Sequence, residues 1–107
     1  MARMTYYPLC PTDDLSPGDR MFVEIGEDQV VVFNITGEYF AIADVCTHDM
    51  GSLGEGEVEG YEIICPRHGA RFDLRTGEAL TLPAVKGVPS YPIRITDGVI
   101  EIGVEED

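Results

Sequence analysis

Two short stretches, Cys46-Thr47-His48 and Cys65-Pro66-Arg67-His68, hold two of the chain's three cysteines and both of its histidines. Thiolate sulfur and imidazole nitrogen are donors for zinc and for iron–sulfur centres, so the clustering points first to a metal site. The order is C-x-H, sixteen intervening residues, then C-x-x-H. Coincidence remains one explanation, with both histidines merely hydrogen-bonded in a core. A closed structural zinc site is another, since two Cys and two His can complete a tetrahedron. Zinc fingers, however, usually present a C-x-x-C pair and then a pair of histidines, whereas here Cys and His alternate. A glycine follows each pair, Gly51 and Gly69, and Pro66 stiffens the second. Both pairs therefore belong on loops.

The elements that must carry these loops read as short strands. YYPL (6–9), MFVEI (21–25), QVVVFNI (29–35) and EYFAIAD (38–44) precede the site. VEGYEIIC (58–65), ARFDL (70–74), YPIRI (91–95) and VIEIGV (99–104) follow or interleave with it. The runs are rich in β-branched and aromatic residues, and Pro, Asp and Gly punctuate them. Asp97-Gly98 between the last two is a two-residue hairpin signal. No window of helical length shows a 3.6-residue apolar period. The expectation is an all-β fold, an antiparallel sandwich or barrel. The chain before and after the middle should pair into one base sheet, residues 44–83 forming an inserted subdomain that carries the Cys/His loops. The acidic tail VEED should fray.

At 107 residues the chain suits one domain spanning 1–107. No apolar run approaches the roughly 20 residues of a membrane span, and the N-terminal stretch does not resemble a signal peptide. Three cysteines in a chain of this size are not a secreted disulfide framework, so the cytoplasm is the expected compartment. Cys10 has no neighbouring ligand and reads as a small hydrophobe at a strand end. Twenty acidic against seven basic residues give a net charge of -13, which disfavours nucleic acid and anionic membranes as partners. It favours a partner with a basic docking patch. GSLGEGEVEG (51–60) is glycine-rich, but it lacks both phosphate-loop patterns, and acidic side chains interleave its glycines. Asn34-Ile35-Thr36 matches a glycosylation sequon that has no meaning in the cytoplasm.

CTH (46–48) and CPRHG (65–69) resemble the two ligand boxes of Rieske [2Fe-2S] proteins. The resemblance extends through VCTHDMGSLGEG and ARFDLRTGEAL and covers nearly the whole chain. In a Rieske centre two cysteines bind one iron and two histidines bind the other. Each loop gives one ligand to each iron, which accounts for the alternation. The resemblance implies one [2Fe-2S] cluster, with Cys46 and Cys65 on the sulfur-only iron and His48 and His68 on the outer iron. It also implies a docking face formed by Asp49, Met50, Arg67 and Pro83 around the histidine edges.

Within this family the chain looks like the ferredoxin component of multicomponent aromatic-ring-hydroxylating dioxygenases. That implies a monomeric carrier taking single electrons from a flavin-containing NAD(P)H reductase to a terminal Rieske oxygenase, not itself an enzyme. The small subunit of an assimilatory NADH-dependent nitrite reductase, or a stand-alone ferredoxin linked to iron–sulfur assembly, are the alternatives. Respiratory members carry an additional cysteine in each loop and a serine after the second box; here those positions are Gly51, Arg67 and Ala70. A missing hydroxyl donor to cluster sulfur, in an acidic protein, makes reduction harder. The midpoint potential should accordingly fall near the low end of the Rieske range, roughly -150 mV. Redox titration checks this, and a value well above zero refutes it.

Overall fold

The computed structural model describes residues 3–47, 51–84 and 86–106. Among these residues ten strands run in chain order: β1 (Arg3–Pro11), β2 (Arg20–Ile25), β3 (Asp28–Ile35), β4 (Glu38–Ala43), β5 (Glu57–Glu59), β6 (Glu62–Ile64), β7 (Arg71–Asp73), β8 (Ser90–Tyr91), β9 (Ile93–Thr96) and β10 (Val99–Glu106). Among the described residues the helical content is a single 3-10 turn, Thr12–Asp14. No helix there is long and apolar enough to cross a membrane.

The strands form three antiparallel sheets, ordered β1-β10-β9, β2-β3-β4-β8 and β5-β6-β7. The four-stranded sheet lies in the middle because its central strand is apolar on both faces. Val30 through Asn34 are all buried. Alternate side chains of a strand point to opposite faces, so a continuous buried run needs cover on both sides. Val31, Phe33 and Ile42 pack in one core with Ile63, Phe72 and Leu74 from the β5-β6-β7 region. Val30, Val32 and Ala41 pack in the other with Leu15, Ile100 and Ile102.

The all-β expectation holds, but four details differ. The base is two sheets rather than one. YPIRI is not a single strand: β8 pairs with β4 in the middle sheet, while β9 pairs with β10 in the outer one. The switch occurs at Pro92, which has no N–H for a ladder and whose carbonyl instead accepts from Gly103 N at 2.8 Å. VEGYEIIC likewise divides into β5 and β6, with Glu59 paired to Glu62 across Gly60-Tyr61. The VEED tail does not fray through Glu106, because Val104, Glu105 and Glu106 pair with Thr5, Met4 and Arg3. Backbone pairing is indifferent to the acidity of the side chains it carries.

The Asp97-Gly98 hairpin is present, with Thr96 opposite Val99 and both turn residues at positive φ, 51° and 76°. Cys10 is half-buried near the end of β1, against the second core. Asn34, the sequon residue, is an internal strut. Its Nδ2 donates to Leu15 O at 2.8 Å, and its Oδ1 accepts from Gly37 N at 2.8 Å. Asn34→Ala leaves a buried carbonyl without this donor and should cost about 2 kcal/mol of stability. Denaturant titration checks the value, and an unchanged midpoint would show that Asn34 is not needed there.

Candidate metal centre

Cys46 follows β4 after two loop residues, and Cys65 directly follows β6. Both are fully buried, within the same apolar core as Phe33 and Phe72. The two loops close in the same way. Cys46 N donates to Gly51 O at 2.8 Å, and Cys65 N donates to Ala70 O at 2.7 Å. Gly69 N also donates to Cys65 O at 3.0 Å, and Gly69 has a φ of 74°, open to glycine but strained for other residues.

The structure brings the two cysteine sulfurs into hydrogen-bond contact, with residues 65–68 folded around the second. Burial pushes the Cys65 thiol up. The backbone N–H groups of Arg67 and His68, the Cys46 side chain and the Arg67 charge more than offset this, and the net shift is downward. A thiol favoured as thiolate, beside a second buried cysteine, suits a thiophilic metal. His68 shares the loop with Cys65 and is exposed, as are Pro66 and Arg67. His48, Asp49 and Met50 lie outside the described residues. Ala70 is fully buried and carries no hydroxyl.

Several residues that motif reading did not select hold the first loop. Asp44 Oδ1 accepts from Ser52 Oγ at 2.8 Å and from Gly54 N at 2.6 Å. Arg20, at the start of β2, donates through Nη1 to Gly54 O at 2.5 Å and Gly56 O at 2.6 Å, while its guanidinium lies over the Phe33 ring. Thr47 Oγ1 donates to Lys86 O at 2.5 Å. On the other side, Arg71 N donates to Thr81 Oγ1 at 2.9 Å. The segment leaving Thr81 therefore runs from the second loop to the first. It bears Leu82, 76% exposed, and the half-buried Pro83. Asp44 had a positional signal, standing just past β4 and two residues before Cys46; Arg20, far away in sequence, had none.

Residues 5–92 match the family model described as the Rieske [2Fe-2S] domain. The 3-phenylpropionate/cinnamic acid dioxygenase ferredoxin subunit of Photorhabdus laumondii is 40% identical over 100 residues, covering 92% of this chain and 94% of that protein. A solved complex of reduced oxygenase and oxidized ferredoxin in carbazole 1,9a-dioxygenase contains a chain similar to this one. The TM-score is 0.86 at 27% identity, covering 95% of both chains. The putative NADH-dependent nitrite reductase small subunit of Mycobacterium tuberculosis is also similar. Its TM-score is 0.81 at 26% identity, covering 95% of this chain and 96% of that one.

Gly56 shows how closely two backbone segments of the β5-β6-β7 sheet meet beside the second cysteine. A Cβ there would stand 1.8 Å from Ile64 O, a backbone atom that no rotamer change can move. Gly56→Ala should therefore destabilise the fold by about 3 kcal/mol. A denaturation midpoint equal to wild type would disprove this contact.

Proposed function

The chain belongs to the Rieske [2Fe-2S] domain family, and from that we propose that it is a ferredoxin passing single electrons to a terminal Rieske oxygenase. The observation that carries this reading is the 40% identity, along almost the whole chain, to a dioxygenase ferredoxin subunit. The nitrite reductase small subunit has a comparable TM-score at 26% identity, so backbone likeness alone does not separate the two roles. Sequence likeness favours the dioxygenase role, and so does the likeness to a chain in an oxygenase–ferredoxin complex. The electron donor in this reading is a flavin-containing NAD(P)H reductase. The carrier itself is a monomer in the cytoplasm, where thiols stay reduced.

A Rieske cluster supplies a one-electron couple with histidine ligands on one of its irons. Cys46 and Cys65 are proposed as ligands of the sulfur-only iron, and His48 and His68 as ligands of the outer one. The three described members of this set suit the group: two buried sulfurs lie in contact, and an exposed imidazole lies on the same loop as one of them. Residues 44–83 form the cluster-bearing unit in this reading, on a single domain. Backbone N–H groups of Arg67 and His68 directed at Cys65 sulfur stabilise negative charge there and oppose the lack of a hydroxyl at Ala70. The imidazoles of His48 and His68, the latter with an exposed side chain, are the points of electron exit in this reading. In this reading Met50 and Pro83, with the exposed Leu82, give the partner apolar contact, and Asp49 helps to orient it.

Cys46→Ser and His68→Ala should each lose the two-iron cluster, as read by iron and acid-labile sulfide content and by the electron paramagnetic resonance spectrum of the reduced protein. A variant that assembles the full cluster removes that residue from the ligand set. Colourless wild-type protein holding one zinc ion would overturn the proposal as a whole.

A further inference from the structure

Arg67 extends from the second loop across to the first. A Cβ built on Gly51 would stand 2.6 Å from Arg67 Cζ, 2.7 Å from Nη2 and 2.9 Å from Nε. The guanidinium therefore occupies the space that any side chain at 51 would need. Its Nη1 donates to Ser52 O at 2.9 Å. Both contacted residues are tied to the site: Gly51 O accepts the Cys46 N–H, and Ser52 Oγ donates to Asp44. The backbone N–H of Arg67 meanwhile faces Cys65 sulfur.

We propose that Arg67 is a positioning residue that straps the second loop onto the first, holding Cys46 and Cys65 at their separation. The role in cluster retention rests on the two-iron reading above; the strap itself does not. An exposed arginine beside an electron port invites a different assignment, as a cation that meets the partner. The contacts of its guanidinium, however, are with the chain's own first loop. A charge-assisted hydrogen bond and a flat guanidinium contact restrain a loop more firmly than a mobile surface cation could.

Two substitutions separate the strap from the charge. Arg67→Ala removes both. Gly51→Ala keeps the charge but displaces the guanidinium, and the fold should tolerate it because only the far end of a flexible side chain must move. In purified holoprotein challenged with an iron chelator, each variant should lose its visible absorbance about tenfold faster than wild type. Arg67→Lys, which retains a donor but not the flat contact, should fall between. In the protein as purified, hydrogen exchange of the 44–52 segment should accelerate in both alanine variants while far-ultraviolet circular dichroism stays at the wild-type value. Wild-type iron and sulfide content tests the two-iron reading separately. If Gly51→Ala matches wild type in exchange and in bleaching, the strap is wrong, even where Arg67→Ala is faster. If exchange accelerates but wild type holds no two-iron cluster, the strap stands and the cluster reading falls.

Discussion

The structure depends on the need of β3 to be covered on both faces. A strand buried from Val30 to Asn34 is stable only between two layers, and each large apolar side chain so covered contributes about 1.5–3 kcal/mol. One cover is the sheet containing β10. The other is the layer that carries the cysteine loops, so Cys46 and Cys65 are members of the core that contains Val31, Phe33 and Phe72. The apolar packing that stabilises the fold thereby also brings the two sulfurs together. An exposed metal loop would need separate restraint; this one is partly restrained by the core beneath it.

Above the core the restraints are polar and directional. Few cations are present in this acidic chain, and two of them hold loop carbonyls near the site: Arg20 at Gly54 and Gly56, and Arg67 at Ser52. Arg71, Arg75 and Arg94 instead pair with carboxylates on half-exposed surface, where ion pairs contribute little to stability. Arginine suits carbonyl clamping because its planar fork presents several donors in fixed directions. The acidic remainder of the surface acts at longer range, steering a basic partner in a salt-dependent way.

These two kinds of restraint account for how the molecule combines a buried pair of sulfurs with an accessible histidine. Cys65 is enclosed by its own loop, while Pro66, Arg67 and His68 rise out of it. The segment after Thr81, whose hydroxyl accepts from Arg71 N just past the second loop, adds an exposed leucine to an otherwise charged surface. Oxygenase docking draws on this face in the proposed role.

Residue types and spacing alone indicated a Cys/His centre, because metal coordination imposes donor chemistry that no other use of both histidines requires. The all-β class and the Asp97-Gly98 hairpin were also legible, since strand alternation and turn dihedrals are local properties. The division of YPIRI at Pro92 was not, because a proline ends ladder pairing without saying which sheet each half joins. Nor was the pairing of the acidic tail with β1, which depends on a partner strand at the far end of the chain. Arg20 and the Arg67–Gly51 contact were invisible for the same reason. Ligand chemistry is written in single residues, whereas which carbonyl a guanidinium reaches is decided only when distant segments pack.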